Sequence, residues 1–278
     1  MLSLVASPAY AQRADSVAAE GPPASRTVFD GDYLAVGIGA GYGPSYAGSD
    51  DYVAFPAGVV LGSVSGIDFR TRGMVLDVDL VTDPSDAKLH WTFGPSLSLR
   101  RDRSGQIKDA VVKRLGTLDS AIELGAVAGV QVNRLLNPYD SITLDVEARW
   151  DIAGAHGGRI ITPGLSYFTP LSRGTAFTLS LYANHVSDSY ADYYYTVDAT
   201  GSAASGLPVF SGKGGLRGAG ANMLIAQDVD GNIADGGLGV FALGGYSRLL
   251  GDAGRTPITS LRGDADQWIV VAGVGYTF

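Results

Sequence analysis

Cysteine is absent from all 278 residues, which excludes disulfides and thiolate metal centres. Long apolar runs are absent as well. A membrane-spanning helix needs about 20 consecutive apolar residues, and every apolar stretch here is broken within a few positions by Gly, Asp, Ser or Thr. Charge is sparse, with Asp, Glu, Lys and Arg making up only 17% of the chain. The balance is acidic, with a net charge of −8 and an isoelectric point near 4.8. That argues against nucleic acid as a partner, because phosphate binding needs a basic surface. A chain without a spanning helix can occupy a membrane only as a closed barrel, whose strands satisfy one another's backbone groups.

Glycine is abundant, with 39 residues, about twice the usual share of roughly 7%. Tyrosine outnumbers phenylalanine, 14 to 9. Residues 1–11 read as the remnant of a signal peptide. Ala9-Tyr10-Ala11 before Gln12 is an A-x-A cleavage pattern, preceded by the apolar stretch Leu2 to Ala6. Residues 12–32 are rich in Ala, Ser and Pro and read as a flexible periplasmic leader. Residues 33–278 read as one transmembrane antiparallel β-barrel.

From Tyr33 onward the hydrophobic period is two. Leu89, Trp91, Phe93, Leu97 and Leu99 share one face, opposite Lys88, His90, Thr92, Ser96, Ser98 and Arg100. Ile142, Leu144, Val146, Ala148 and Trp150 alternate with Thr143, Asp145, Glu147, Arg149 and Asp151. Phe177, Leu179, Leu181 and Ala183 alternate with Thr178, Ser180, Tyr182 and Asn184. A soluble sheet also alternates, but here the second face carries several charges per strand or is nearly all glycine, as at Gly37, Gly39, Gly41 and Gly43. In a barrel the apolar face meets lipid and the mixed face meets the lumen. The alternation predicts strands over 33–43, 52–62, 65–72, 73–82, 88–101, 120–133, 141–152, 158–169, 174–186, 218–229, 236–249 and 266–278. Merging the third and fourth would point to ten strands instead of twelve.

Connection lengths support the assignment. The long ones, 102–119, 187–217 and 250–265, all follow odd strands, as extracellular loops should, and the periplasmic turns are short. Tyr33, Trp91, Tyr167, Phe168, Tyr276 and Phe278 fall towards the periplasmic ends of their strands. Tyr42, Trp150, Tyr246 and Trp268 fall towards the outer ends, giving two aromatic girdles. The final strand, with Tyr276 and Phe278 on its apolar face, resembles the recognition signal of the outer-membrane assembly machinery.

The segment GIGAGYGPSYAGSDDY (37–52) resembles the opening strand and first loop of the MltA-interacting protein (MipA)/OmpV family. Its P-x-Y-x-G-S-D-D-Y loop is Pro44, Tyr46, Gly48, Ser49, Asp50, Asp51 and Tyr52 here. WTFGPSLSLRRDR (91–103) is similar to the family's W-x-F-G-x-S-L strand. YSRLLGDAGRTPIT (246–259) is similar to its Y-x-R-L-x-G-D-A-x-x-S-P-I segment, with Thr256 in place of the usual serine. The resemblance covers roughly 30–278 and implies a Gram-negative outer-membrane barrel in contact with outer-membrane lipid and lipopolysaccharide. One member of that family is a scaffold linking a lytic murein transglycosylase to a peptidoglycan synthase; others are associated with adhesion or envelope stress. The family brings no catalytic residues and no cofactor.

Asp68, Arg70, Arg72, Asp77, Asp79, Lys88, Arg100, Glu123, Asp145, Glu147, Arg149 and Asp151 are expected to face the lumen. They select solutes by charge or pair with one another, and the interleaving of both signs favours pairing. His185-Val186-Ser187 is the enzymatic lead, since outer-membrane lipid hydrolases carry His-x-Ser on a strand, with the histidine as base and the serine as nucleophile. Asp188 stands where those enzymes have asparagine, and no third residue can be placed. Asp228, Asp230, Asn232 and Asp235 resemble a calcium loop without its terminal glutamate; Asp and Gly are also good turn formers, and no metal is expected. Residues 188–198 and the Asp50-Asp51 pair read as solvated acidic loops. Three functions follow: a non-enzymatic scaffold, a passive small-solute channel, or a lipid hydrolase using His185 and Ser187. The scaffold is favoured.

Overall fold

The computed structural model describes residues 27–84 and 86–278. The expectations for 1–11 and for most of the leader, 12–26, lie outside the described residues. Twelve strands follow in chain order: β1 (Tyr33–Pro44), β2 (Tyr52–Val64), β3 (Ile67–Arg72), β4 (Val75–Asp79), β5 (Leu89–Arg100), β6 (Ala121–Asn133), β7 (Ser141–Asp151), β8 (Arg159–Pro170), β9 (Thr175–Val186), β10 (Gly215–Asp228), β11 (Gly237–Leu249) and β12 (Asp266–Thr277). Each runs antiparallel to the next, and β12 returns to pair with β1, closing the sheet. A strand of 12 residues such as β1, rising about 3.3 Å per residue and tilted, is long enough to cross an apolar band about 25 Å tall.

The faces follow the alternation. Ile38 is 73% exposed, Phe93 61% and Trp268 60%, whereas Glu123 is 0% and Glu147 3% exposed. Charge is inside and grease outside, the reverse of a soluble protein and the arrangement of a barrel in lipid. The split between β3 and β4 is real: Gly73, at φ +61°, makes the tight turn. β4 is shorter than expected and stops at Asp79. Beyond it, carboxylates replace backbone acceptors: Asp79 Oδ1 accepts from Phe93 N–H at 3.1 Å and Asp83 Oδ2 from Trp91 N–H at 2.6 Å.

Two aromatic expectations need correction. Tyr33 pairs with Ser63 on the lumen face and packs edge-on to Phe29, so it does not belong to the lipid girdle. Phe168 pairs with Ser141, also on the lumen face, at the periplasmic rim. Both sit at the right height, but strand parity turns them inwards.

The glycine face has a steric cause. Gly41 lies opposite Phe55, and Gly273 opposite Phe241. A Cβ on Gly37 would stand 2.7 Å from Val59 Cγ1 and 3.0 Å from Phe241 Cε1, and one on Gly41 would overlap the Phe55 ring. The inner wall of β1, β2, β11 and β12 is thus built from large apolar side chains lying over glycines. The inner wall of β3–β7 carries the charges.

The β2–β3 seam is short. It holds four residue pairs, Leu61↔Arg70 to Val64↔Ile67, against twelve between β1 and β2. The Thr71 hydroxyl ends it, accepting from Val60 N–H at 2.9 Å and donating to Val60 O at 3.2 Å. Residues 52–59 of β2 have no strand partner on that side among the described residues. Pro56, which has no N–H to offer, lies in this free stretch, where proline is tolerated.

The three long connections lie at the end opposite the termini, and they are folded. A 3-10 turn spans Val112–Leu115, α1 spans Asp188–Tyr195, α2 Ala199–Ser205, α3 Gly251–Arg255 and α4 Pro257–Ser260. The solvated loop expected at 188–198 is therefore corrected to a helix with a buried face. Tyr190 is 0% exposed, because its neighbours in the other loops supply an apolar surface that local sequence cannot reveal.

Candidate functional site

The folded loops form a cap over the outer mouth. Ser187 is the N-cap of α1, its hydroxyl accepting from Arg159 N–H at 3.0 Å and Tyr190 N–H at 3.5 Å. Spacings of four put Tyr190 with Tyr194, and Ala191 with Tyr195, on one helix face. That face packs on Ile160, Val186 and Leu249, inner-facing residues at the outer ends of β8, β9 and β11, and on Ala253 of α3. The Arg100 guanidinium lies 5.3 Å from the Tyr190 ring centroid. Arg103 Nη2 donates to Tyr194 O at 3.0 Å, Arg217 Nε to the Tyr195 hydroxyl at 2.8 Å, and the Thr256 hydroxyl to Tyr195 O at 2.8 Å. A second apolar cluster joins Tyr46, Ile107, Val112, Val197, Leu207 and Ile258 from four different loops. Because α1 touches residues of β5, β8, β9, β10 and β11, it spans the mouth.

Electrostatics tighten the cap. Burial pushes the Tyr46 phenol up to about 12 and raises those of Tyr194 and Tyr195 well above the ordinary range. Burial alone would raise the Asp109 carboxyl too. Hydrogen bonds from Arg262 and from Val112 and Val111 N–H outweigh that and hold it below the usual carboxylate value. The Arg262–Asp109 pair closes at 2.6 Å.

Beneath the cap the lumen is cross-braced. Arg72 on β3 pairs with Asp77 at 2.7 Å and reaches Asp145 at 3.4 Å and Glu147 on β7. Glu147 pairs in turn with Arg149, which lies 3.4 Å from Glu123. Glu123 takes Arg100 at 2.6 Å and the ring of His156 at 3.3 Å. His156 Nδ1 accepts from Gly158 N–H at 3.0 Å, so the bonding pattern assigns the ring proton to Nε2, facing Glu123. Its ring also abuts Tyr190, 4.9 Å between centroids. One connected network therefore runs from the wall of β3 to the underside of α1. It sets Arg72, Arg100 and Arg149 against Asp77, Asp145, Glu147 and Glu123, a near-balance unlike the single-signed rings that select ions.

A family model for MltA-interacting protein MipA matches residues 36–278. The chain belongs to the MipA family. Together with the closed barrel and its apolar outer band, membership makes it an outer-membrane protein. Curated protein sequences bring no match. Among solved structures, the chain is similar to an outer-membrane channel from Pseudomonas putida F1 (14% identity, 93% of this chain and 99% of that one, TM-score 0.44). It is also similar to the toluene transporter TodX from Pseudomonas putida (11%, 89% of each chain, TM-score 0.37), and to OprD from Pseudomonas aeruginosa (13%, 88% of this chain and 65% of that one, TM-score 0.34).

The MipA-like loop motif is structural. Pro44 ends β1, and Tyr46 is buried in the cap. Gly48, at φ +94°, donates its N–H to Gln267 Oε1 on β12 at 3.0 Å. Ser49 is fully buried, its hydroxyl accepting from Asp51 N–H at 3.1 Å. The Tyr52 hydroxyl accepts from Trp268 N–H at 3.0 Å. Asp50 is exposed. The loop thus pins β1–β2 to β12.

Other expected residues scatter. Asp68 and Arg70 line the inner wall opposite Asp79 and Asp77. Lys88 lies exposed just before β5. Asp151 folds the 152–158 loop by accepting from Ala153, His156 and Gly157 N–H. His185 is exposed on the lipid side, while Ser187 Oγ is committed to capping α1. Asp228 Oδ1 accepts the N–H groups of Asp230, Gly231 and Asn232, so the turn itself accounts for that residue. Tyr276 and Phe278 stack on the outer face, 4.6 Å between centroids. His156, Arg103 and Arg217 were not singled out by sequence reasoning. His156 and Arg217 are lone polar residues among apolar and glycine neighbours, Arg103 is one of several charges in its run, and only the fold brings each to the cap.

Proposed function

We propose that the protein acts in the outer membrane as a closed, non-enzymatic interaction platform. Its periplasmic turns and leader offer surface to murein-remodelling enzymes, with a lytic murein transglycosylase as the proposed partner class. The observation that carries this reading is the cap: a helix with its own apolar core lies across the outer mouth and is braced to the lumen wall through Arg100, Glu123 and His156. A lid braced in this way supports a closed lumen rather than an open solute route. The family's name, taken from an interaction with MltA, supports the partner class. The use of Ser187 as a helix cap supports the absence of hydrolase chemistry.

Planar-bilayer recording tests the closed state. The wild-type chain is expected to give no conductance steps, and a variant lacking residues 188–213 to give them. Steady wild-type conductance would favour the passive channel. Mild cross-linking in envelope membranes tests the platform, and reproducible failure to recover a murein transglycosylase counts against it.

A further inference from the structure

The outer rim holds a cationic recess that the closed-platform reading does not use. Between the start of β10 and α3 lies a cavity of about 320 Å³ lined by Lys213, Arg217, Arg255, Asp252, Leu216 and Tyr195, among others. Three cations face one carboxylate. Both oxygens of Asp252 are engaged: Oδ1 takes Arg255 at 2.6 Å and Oδ2 takes Lys213 N–H at 2.8 Å. The nearby Asp188 caps the glycine turn by accepting from Gly214 N–H at 2.8 Å. Arg217 spends its Nε on the neutral Tyr195 hydroxyl. Among the described residues neither Lys213 nor Arg217 forms an ion pair. With Asp188 counted, a local excess of one positive charge remains, in a chain of net charge −8.

The recess lies at the outer end of β10, where Lys213, Leu216 and Arg255 are exposed. Leu216, 48% exposed, points to the lipid side beside it. On the same outer face, one or two strands away, Arg159 and His185 are exposed. Tyr246 and Trp268 of the outer girdle pack together, 4.7 Å between centroids, slightly lower on β11 and β12. A ligand that fits carries a phosphate for the guanidinium and ammonium donors. It also carries apolar chains for the wall below. An isolated anion satisfies only the first demand.

We propose that this recess binds a phosphate group of the phosphorylated glycolipid of the outer leaflet, with its acyl chains lying against the Leu216 face. The inference goes beyond the platform reading and does not depend on it. Each exposed cation near an anionic headgroup is worth about fivefold in affinity, so removing two weakens binding roughly 25-fold.

The test uses the full chain in neutral-detergent micelles, titrated with diphosphoryl lipid A and read by native mass spectrometry. A Lys213→Ala/Arg255→Ala variant should bind roughly 25-fold more weakly. Both side chains are exposed, so the fold should survive, and heat-modifiable gel migration checks this. An Arg101→Ala/Arg114→Ala control in the 101–120 loop should bind as the wild type does. Lipid A stripped of both phosphates should bind the wild type no better than diphosphoryl lipid A binds the double variant. The proposal is overturned if the double variant keeps wild-type affinity or if the stripped lipid binds equally well. Displacement by inorganic phosphate at equimolar concentration would also overturn it, leaving a site for free anions.

Discussion

Replacing Glu123 with alanine removes the node at which barrel and cap meet. Glu123 is 0% exposed and holds Arg100 at 2.6 Å, Arg149 at 3.4 Å and His156 at 3.3 Å. After truncation, Arg149 keeps Glu147. Arg100 keeps only the face of Tyr190, and His156 Nε2 loses its acceptor. Breaking a buried pair by deleting one partner costs about 3–5 kcal/mol, because an uncompensated charge remains. The cavity adds to this, so a loss towards the upper end is expected. Glu123→Gln keeps the shape and one carbonyl acceptor and should cost less. Replacing both Arg100 and Glu123 by apolar residues should recover part of the loss, since no lone buried charge is left. The assay is urea unfolding of the chain in lipid vesicles, followed by tryptophan fluorescence and by gel mobility. A loss below about 1 kcal/mol for Glu123→Ala would show that water already screens the node as it does a surface pair, and the account of the braced cap would fail.

Other substitutions probe separate joints. Ser187→Ala should cost about 1 kcal/mol through loss of the α1 cap and leave acyl release from phospholipid vesicles unchanged; a fall in acyl release would revive the hydrolase. Gly41→Val should destabilise the barrel by about 1–3 kcal/mol through overpacking against Phe55, and unchanged thermal gel mobility would refute that. The cap should loosen at both extremes of pH, read as lower amide protection factors in 188–205, each rate taken relative to the intrinsic rate at that pH. Asp109 has a depressed folded value, so its contribution is complete above the ordinary 3.8 and is lost as the pH falls through the lower folded value. Tyr194 and Tyr195 have raised values, so their contribution is complete below the ordinary 10.0 and declines as the pH climbs beyond it. Protection factors in the cap that stay unchanged at both extremes would count against this.

The barrel was legible because period-two alternation is local. β5, β7, β9 and β12 show it plainly, and their ends fall within a residue or two of expectation. The alternating loop lengths gave the side of each connection. Which charges meet was not legible, because Arg72 on β3 reaches Asp145 on β7 only across the lumen, with three strands between them in the wall. The cap was missed although its signals were present: Ser187 as N-cap, Asp188 in the first turn and tyrosines four apart. In isolation an eight-residue helix is marginal, and its burial comes from residues distant in sequence, Ile160 and Leu249 at strand ends and Ala253 in a loop. Tyr33 and Phe168 were misassigned because height along a strand says nothing of which way the side chain turns.

The shortness of the β2–β3 seam bears on how the wall can yield. The β3–β4 hairpin is stitched to β2 by four residue pairs and to β5 by three, whereas the closing contact of β1 with β12 has eight. It carries Arg72, the far end of the charge ladder, but no part of the lid. With so few backbone pairs at its flanks, the hairpin leans on the ties of Arg72 to Asp145 and Glu147 across the lumen. The wall is therefore stitched unevenly, most thinly at a short ribbon rather than at the seam where first and last strands meet.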